Sequence, residues 1–491
     1  MMDIKKPIQK NKILLILILI LIISFFVRVY GLQSENIWPD EGGTVFHAHK
    51  SVLHNIKWSL SVGYFPLYHV ILSSWEKIFG LEEFSVRFLS LIFGILSVYI
   101  VFKIGTFMFN KKVGIYSAII MALSPFNVSY SQEARVYTLL VLLSLSSIYF
   151  YLRFIESQKK KHMIYYILFT FLMLNTHAPA IFILVFQNIH YLLFVKKYFK
   201  KWIFIQFALF ISFLPLLLVT LSGISGFSEY VVIPKPNIVT LLKTFYIFSA
   251  GSTFEITALA IGSFISIGFF LLLFLVLLQM VKDIKSKKYL NLNKTIFLLL
   301  WLAVPILLLL VQSYVSHSVY FVRFIIVSSI ALYILIALSI TRFNNKTQMA
   351  IMTSIIILSL MMLYVDFETN NQGRWKDTTD YIKINKNEND AVVLHVSSAI
   401  YSFAYYFDPE CFKSDNLTGC MSIQDVYGVY KKKVNASASA INNERVFLIL
   451  YNAKYVDTEG IILKYYIQNY KLIEEKKYRH IQIFTFNKPA S

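Results

Sequence analysis

Long apolar runs recur along this chain and constrain its fold more than any other feature. Examples cover residues 13–27, 88–109, 295–311 and 350–365. Each is close to the length that an α-helix needs to cross about 30 Å of hydrocarbon at about 1.5 Å per residue. Backbone polar groups find no water inside a bilayer, so such runs form helices, and they lack the alternating polarity of β-barrel strands. The sequence therefore predicts a mainly α-helical, polytopic membrane bundle.

Composition and charge agree with this prediction. Of the 491 residues, 57% are hydrophobic and only 15% are charged, whereas a soluble protein carries about a quarter charged residues. The net charge is +20, and its lysines and arginines concentrate in short loops near residues 111–112, 159–161, 196–201, 282–288 and 342–346. Such loops stay in the cytoplasm and face anionic lipid head groups. We therefore predict a multi-pass cell-membrane protein with membrane lipids as partners and no nucleic-acid partner.

The basic residues near the N-terminus place it in the cytoplasm. About eleven spans then cross the membrane, so that every lysine-rich loop lies in the cytoplasm and the C-terminal tail lies outside. The first span begins like a signal peptide but lacks a small-residue cleavage site, so we expect it to remain as an anchor. The predicted spans cover residues 13–30, 88–109, 113–129, 137–155, 163–177, 179–195, 202–220, 256–281, 295–312, 323–340 and 348–365.

This arrangement of spans and loops predicts two domains. Residues 1–366 form a transmembrane catalytic domain with two long outer loops, 31–87 and 221–255. The second loop contains Gly, Ser and Pro and is predicted to be a mobile loop over a site. Residues 367–491 form a small extracytoplasmic soluble α/β domain.

The tail carries strand and cysteine signals. Residues 391–396, 446–451 and 481–486 are predicted strands. Cys411 and Cys420 are the only cysteines in the chain. In an oxidising compartment their separation suits a loop-closing disulfide, with two buried unpaired thiols as the alternative.

Ionisable residues at the edges of spans are candidates for function, because charge at membrane depth is costly. Asp40 and Glu41 follow the first span, and adjacent carboxylates on an extended chain point in different directions. One can then act as a base while the other holds a ligand or partner. Glu133 and Tyr137 lie four residues apart and would share a helical face, with Arg135 turned elsewhere.

Arg135 and Arg323 both lie at predicted outer boundaries. An arginine there either extends to a lipid phosphate or grips a substrate phosphate with its fixed fork of donors. His177, at the outer end of the fifth span, is a further candidate. A lone histidine at a span end is more often an interfacial hydrogen-bonding group than a ligand, so both interpretations stay open.

These segments resemble the polytopic glycosyltransferases of the GT-C superfamily that use lipid-phosphate sugars. That group includes the dolichyl-phosphate-mannose protein mannosyltransferases and the lipid A aminoarabinose transferases. The resemblance extends over residues 31–190 and, more thinly, to about residue 394. It is carried by Asp40-Glu41, Phe65-Pro66-Leu67-Tyr68, GLEEFSVRFLSLIFG (80–94), ALSPFNVSYSQEARVY (122–137), Asn175-Thr176-His177, Arg323-Phe324 and Gly373-Arg374-Trp375-Lys376.

Two positions depart from the family pattern. The family often has His-Pro-Pro-Leu-Tyr where this chain has Tyr64-Phe65-Pro66-Leu67-Tyr68, although His69 lies close by. Phe324 stands where a tyrosine is usual, so a hydroxyl at that position is not required here.

The resemblance implies a GT-C-like fold and transfer of a hexose- or pentose-type sugar. The donor would be a dolichyl or undecaprenyl phosphate sugar, and the acceptor a hydroxyl of a protein, lipid or glycan at the outer face. It also implies inversion at the anomeric carbon. The residues implied are Asp40 and Glu41 as catalytic, with Asp40 the general base; Arg135 and Arg323 as donor phosphate-binding; and Glu133, Tyr137, His177, Tyr68 and His69 as supporting.

Two questions stay open at this level. No cofactor is compelled by the sequence, but a divalent ion (Mg²⁺ or Mn²⁺) held by Asp40 and Glu133 is an alternative. A transporter or flippase for lipid-linked sugars would explain the spans and arginines equally well. Transporters tend to have internal repeats and broken helices at the membrane midplane, whereas this sequence has no evident repeat and its acidic residues lie at the outer rim.

Overall fold

The computed structural model describes residues 5–61, 64–227, 233–286, 289–316, 318–369, 373–429, 443–453, 457 and 460–489. Helices dominate the first three quarters of the chain. They are α1 (Lys5–Tyr30), α2 (Pro39–His49), α3 (Val52–Ser61), α4 (Leu67–Phe79), α5 (Glu83–Met108), α6 (Lys111–Leu123), α7 (Pro125–Ser131), α8 (Tyr137–Ser157), α9 (Lys160–Leu174), α10 (Ala180–His190), α11 (Phe199–Phe227), α12 (Ile238–Ala250), α13 (Ile256–Lys285), α14 (Tyr289–Val315), α15 (Ile326–Ile340) and α16 (Asn345–Glu368). A π-helical turn (Tyr191–Val195) continues α10, and a 3-10 turn (Val322–Ile325) precedes α15.

The long apolar helices confirm the predicted membrane fold. Within the described residues, eight helices (α1, α5, α8, α11, α13, α14, α15 and α16) are long and apolar enough to span a membrane, and the bent pair α6–α7 makes a ninth. Two predicted spans, 163–177 and 179–195, coincide with the shorter helices α9 and α10. The chain breaks between them at residues 175–179, which include Pro179 and lie outside both helices.

A break at Ser124-Pro125 divides the span predicted over 113–129. Proline has no N–H to donate and disfavours the helical conformation of the residue before it. The Ser124 hydroxyl accepts a hydrogen bond from the Asn127 N–H (3.3 Å) and caps the new helix. The axes of α6 and α7 consequently differ by 60°.

Arg28 of α1 lies against this break. Its guanidinium is fully buried and donates to the carbonyl of Ala122 (2.8 Å), to the hydroxyl of Ser24 (2.7 Å) and to the hydroxyl of Ser131 (3.1 Å). The arginine therefore satisfies a carbonyl at the end of α6 and ties α1 to both halves of the bent pair.

Several helices lie in the two loops predicted over 31–87 and 221–255. Helices α2 to α4 occupy the first of these loops. In the loop predicted over 221–255, α11 continues to Phe227 and α12 covers Ile238–Ala250, while residues 228–232 lie outside the described residues. A capping box begins α12, because Asn237 and Thr240 exchange hydrogen bonds of 3.0 and 3.1 Å between side chain and backbone.

The C-terminal domain, described from residue 373 onward, is the small α/β unit that the sequence predicted. Its elements are α17 (Trp375–Asn385), β1 (Asp390–His395), α18 (Ala399–Phe407), α19 (Pro409–Lys413), α20 (Leu417–Ile423), β2 (Val426–Gly428), β3 (Arg445–Tyr451), α21 (Ile461–Asn469), β4 (Lys471–Tyr478) and β5 (Ile481–Asn487). The strand order is β2-β1-β3-β5-β4; β1 is parallel to β2 and β3, and β5 is antiparallel to β3 and β4. Every residue of β1 is buried, which explains the continuous apolar run at residues 391–394.

Cys411 and Cys420 are joined by a disulfide, with their Cα atoms 5.5 Å apart. It links the short helices α19 and α20 next to α18. Helix α18 in turn packs on α2, so the C-terminal domain lies directly against the helix that carries Asp40 and Glu41.

Candidate functional site

The site begins at the first turn of α2. Trp38 is extended and precedes Pro39 at the first helical position, where a missing N–H has no cost. Asp40 and Glu41 therefore lie in the first turn, not on an extended chain, and their charge is favoured by the positive end of the helix dipole. The two side chains have opposite environments: that of Asp40 is 39% exposed and that of Glu41 is fully buried.

The Asp40 carboxylate lies between two guanidinium groups from distant parts of the chain. Its Oδ2 atom is 3.6 Å from Nη2 of Arg135, which follows α7, and 3.8 Å from Nη2 of Arg323, in the 3-10 turn before α15. Both arginine side chains are about one-fifth exposed. The site is therefore open to a ligand and carries more positive than negative charge.

Further contacts fix the two arginines. Arg135 Nη1 donates to the backbone carbonyl of Asp40 and to the hydroxyl of Thr44, both at 2.7 Å. The rings of Trp38 and Tyr137 each lie 5.8 Å from the guanidinium carbon of Arg135 and 5.9 Å from that of Arg323. Cation–π contacts thus hold both guanidiniums ready for an anion, and hydrogen bonds hold that of Arg135 as well.

Glu41 lies behind the open site in a buried ion pair with Arg87 of α5. Arg87 donates from Nε (2.8 Å) and Nη2 (2.7 Å) to the two oxygens of Glu41. The Ala134 N–H donates to the same carboxylate at 2.7 Å. Glu41 consequently fastens α2 both to α5 and to the segment that carries Arg135.

Arg87 is the site residue that sequence reasoning missed. It lies within the GLEEFSVRFLSLIFG segment, four residues after Glu83, near the start of a predicted span. A cation at a span boundary is the same signal that singled out Arg135, but nothing in the sequence pairs it with Glu41, 46 positions earlier.

Glu133 is buried beside Glu41 and the arginines, in the segment between α7 and α8. Burial, and then the charge of Glu41, raises the pKa of Glu133 to about 8. At neutral pH this carboxyl is mostly protonated and uncharged. It lines a small polar cavity with Glu35, Gln132 and Asp366.

The other residues predicted from the sequence differ in burial and in their distance from the two arginines. The ring of His177 is 5.9 Å from that of Tyr137 and 5.1 Å from that of Phe324, so it borders the arginine site. Tyr68 is fully buried and shares a 2.9 Å hydrogen bond with Ser90.

His69 is also buried, and its ring packs against the ring of Trp58 at 5.4 Å. Burial, followed by the charge of Arg135, lowers the pKa of His69 to about 4. The imidazole is therefore neutral at physiological pH. Cys411 and Cys420 belong to the C-terminal domain and do not line the arginine site.

A divalent ion held by Asp40 and Glu133 was the open alternative for a cofactor. Asp40 faces two cations, and burial raises the pKa of Glu133 to about 8, so both carboxylates are less favourable ligands for Mg²⁺ or Mn²⁺ than free carboxylates. Across the described parts of the chain, no three His, Cys, Asp or Glu side chains come together as a metal-binding group. The residues present fit an anion better than a divalent cation.

The comparisons with known proteins agree with this architecture. Residues 65–222 match the dolichyl-phosphate-mannose-protein mannosyltransferase family. The structure is similar to ArnT from Cupriavidus metallidurans bound to undecaprenyl phosphate, with a TM-score of 0.55 and 11% identity, covering 95% of this chain and 97% of that chain. It is also similar to the Archaeoglobus fulgidus oligosaccharyltransferase AglB in complex with an inhibitory peptide and a dolichol-phosphate, with a TM-score of 0.59 and 11% identity, covering 96% of this chain and 74% of that chain.

The chain has a GT-C-like fold, the fold of these two proteins. The apo form of the Archaeoglobus fulgidus oligosaccharyltransferase gives a TM-score of 0.60 at 12% identity, covering 96% of this chain and 75% of that chain. No curated protein matches the chain by sequence. The predicted resemblance to polytopic glycosyltransferases is confirmed, and in this GT-C fold the open site lies where α2, the α7–α8 segment and the start of α15 meet.

Proposed function

We propose that this protein transfers a sugar from a polyprenyl-phosphate donor to an acceptor hydroxyl at the outer face of the membrane. The observation that carries the proposal is the placement of Asp40 within 4 Å of both Arg135 and Arg323 at the rim of the helix bundle. A carboxylate and two guanidiniums in one open site suit a reaction between a hydroxyl and a phosphate ester.

The donor would be held by its phosphate. A polyprenyl chain has to stay in the bilayer, so the sugar phosphate is presented at the membrane boundary, where the two arginines lie. Bidentate guanidinium–phosphate contacts are among the strongest hydrogen bonds in proteins. The bound undecaprenyl phosphate in ArnT and the dolichol-phosphate in AglB, which share this fold, support a lipid phosphate as the ligand.

The phosphate would also replace Asp40 as the ion-pair partner of the two arginines, which stay where their other contacts hold them. With the guanidiniums paired to the donor, the exposed Asp40 carboxylate is free to accept a proton from the acceptor hydroxyl. The acceptor oxygen then bonds to the anomeric carbon as the bond from that carbon to the phosphate oxygen breaks. A single displacement of this kind inverts the anomeric configuration.

The leaving group is a phosphate anion that needs no proton. Its developing charge would be stabilised by Arg135 and Arg323, whose positions are fixed before the reaction. Asp40 as general base contributes about 10²–10⁴ in rate. Glu41 would act through its contacts with Arg87 and Ala134 by holding both Asp40 and Arg135 in place.

The test is the contrast between two variants of the purified protein. Wild type is assayed against undecaprenyl- and dolichyl-phosphate hexoses and pentoses, with peptides, lipids and glycans as acceptors, by release of the polyprenyl phosphate. On the donor that supports turnover, Asp40→Asn should lower turnover at least about a hundredfold, because it removes the base. Its affinity for undecaprenyl phosphate should not fall, since a negative charge beside the phosphate is lost.

Arg135→Ala should behave differently. It removes a charge-assisted contact with the donor, so affinity for undecaprenyl phosphate should fall by roughly tenfold or more. Near-normal turnover of Asp40→Asn would refute the role of Asp40 as base. Movement of a lipid-linked sugar across proteoliposomes, with no transfer to any acceptor, would instead support the flippase alternative.

A further inference from the structure

Tyr406 of α18, in the C-terminal domain, contacts the segment that leads to the proposed base. The hydroxyl of Tyr406 accepts a hydrogen bond from the backbone N–H of Ile37 (2.8 Å) and donates one to Oε1 of Glu83 (2.6 Å). Ile37 lies three residues before Asp40, at the entry to α2. The hydroxyl group of Tyr406 thus joins the segment before Asp40 to the start of α5.

The second contact continues into the ion pair behind Asp40. Oε2 of Glu83 is 3.9 Å from Nη1 of Arg87, and Arg87 forms its two-pronged contact with Glu41. Arg87 Nη1 also donates to the carbonyls of Leu32 (3.0 Å) and Glu35 (2.7 Å), which belong to the segment leading to α2. The network therefore connects α18, α5 and both ends of the segment before Asp40.

Close packing accompanies these hydrogen bonds. A Cβ added at Gly42 would lie 3.1 Å from the backbone of Tyr401 and of Ser402, so glycine at this position lets α2 approach α18. The ring of Tyr401 packs 5.4 Å from that of Phe46 on α2. At the far end of α2, Lys50 donates to the carbonyl of Lys413 at 2.8 Å. Helix α2 thus packs against the C-terminal domain along the whole length of the helix.

We infer that the C-terminal domain completes the active site, with Tyr406 as a positioning residue that fixes the segment carrying Asp40. The hydroxyl holds the backbone immediately before Asp40 and braces the Glu83–Arg87–Glu41 network behind it. Without this hydroxyl, α2 keeps its fold but its first turn moves more freely. The Asp40 carboxylate then reaches the geometry needed for proton abstraction less often.

Tyr405 provides the matched control. It precedes Tyr406 on the same helix, is likewise partly buried, and donates its 2.9 Å hydrogen bond to the backbone carbonyl of Leu81 and not to Glu83. Tyr405→Phe and Tyr406→Phe remove the same atom from neighbouring positions of one interface. A general loosening of the domain contact would affect both variants alike.

Hydrogen exchange of the full-length protein in detergent tests the inference without requiring a known substrate. Tyr406→Phe should speed amide exchange over residues 37–45 by about tenfold, because it removes a hydrogen bond to a charged acceptor. Tyr405→Phe should leave these amides within twofold of wild type. Equal exchange in the two variants, or no change in Tyr406→Phe, would overturn the inference.

Three further variants, measured by the same hydrogen exchange, separate positioning from a general loss of stability. Glu83→Ala should reproduce the exchange effect of Tyr406→Phe, Glu83→Gln should retain most of the protection through its amide oxygen, and the double variant Tyr406→Phe/Glu83→Ala should not add the single effects. Additive effects would contradict a shared network.

A kinetic test of the same inference rests on the proposed function, because it measures sugar transfer. Tyr406→Phe should lower kcat by about tenfold or more with little change in KM for the donor. A loss in KM alone would overturn the positioning role. A protein that transfers no sugar at all would refute the proposed function, while the exchange result would still decide whether Tyr406 fixes the segment.

Discussion

At the scale of single residues, the adjacent carboxylates of Asp40 and Glu41 lie in different physical environments. Successive residues of a helix point about 100° apart, and the first turn of α2 directs Asp40 into the open site and Glu41 into the protein. A carboxylate that is partly exposed can exchange protons with a substrate. A carboxylate closed in a buried ion pair cannot do so readily, and it serves as an anchor.

The pH dependence of donor binding should report on Glu133. Below about pH 8 its carboxyl is protonated and neutral; above that pH it ionises and adds negative charge near Arg135 and Arg323. Affinity for undecaprenyl phosphate should therefore fall by roughly threefold to tenfold between pH 7 and pH 9. A phosphate monoester has lost its second proton by about pH 7, since that pKa is about 6.

Equilibrium binding of undecaprenyl phosphate at several pH values measures this effect. Glu133→Gln, which stays neutral throughout, should remove the decline above pH 8 while retaining the affinity seen at pH 7. An unchanged decline in the glutamine variant would show that another group is responsible.

The sequence indicated some of these residues and not others for a definite reason. Asp40, Arg135 and Arg323 are polar interruptions at the ends of apolar runs, and that local signal was sufficient to select them. Their mutual distances, and the pairing of Glu41 with Arg87, depend on how helices far apart in sequence pack together. The burial of Glu133, which raises the pKa of its carboxyl, could not be predicted from the sequence pattern either.

At the scale of elements, α2 is held from three sides. Arg87 of α5 and the Ala134 N–H bind Glu41, and α18 covers the glycines that follow it. A short helix of 11 residues is marginal by itself in water. These contacts, more than helix propensity, determine where its first turn lies.

Breaking the Glu41–Arg87 pair should therefore destabilise the protein. Arg87→Met leaves a buried carboxylate without its partner, which costs about 3–5 kcal/mol. The midpoint of thermal unfolding in detergent should fall by several degrees. Replacing both residues, Glu41→Met with Arg87→Met, should restore much of the midpoint.

An exposed pair gives the comparison. Arg374 and Asp377 are 57% and 43% exposed, so Asp377→Asn should change stability by less than about 1 kcal/mol. If Arg87→Met were as mild as Asp377→Asn, Glu41 could not be the anchor of α2.

Element boundaries show where sequence reasoning was sufficient. The apolar runs identified the spanning helices, and alternating or continuous apolar residues identified β1, β3 and β5. The break at Ser124-Pro125 had a local signal in its proline, but the run around it was apolar enough to be treated as one span. Helix α12 was missed because the Gly, Ser and Pro residues flanking it were taken to represent the whole loop.

At the scale of the whole molecule, the polar contacts divide between two faces of the bundle. Asp40, Arg135 and Arg323 meet on the face that also carries the C-terminal domain. On α6 and α16, Lys112 donates a 2.9 Å hydrogen bond to Asn345, joining two of the basic loops predicted to lie in the cytoplasm. This contact brings two of the five basic loops together.

The predicted orientation can be tested with two introduced cysteines. Lys160, at the start of α9, and Asn469, at the end of α21, are both exposed. In intact cells, a membrane-impermeant maleimide should label Asn469→Cys and not Lys160→Cys. Wild type is the control, because both of its cysteines are joined in the disulfide.

After permeabilisation, both variants should be labelled. Labelling of Lys160→Cys alone in intact cells would reverse the orientation. The proposed site would then face the cytoplasm, and the sugar donor would have to be presented from that side.

The buried arginine of α1 has a consequence for how the protein is made. An arginine near the end of a spanning helix can extend its guanidinium to the lipid head groups, and the carbonyl that receives Arg28 is synthesised 94 residues later. We expect the newly made α1 to keep its guanidinium near the lipid head groups until α6 and α7 emerge from the ribosome. The contacts of Arg28 with Ala122 and Ser131 can then form only after the bent pair has been inserted beside α1.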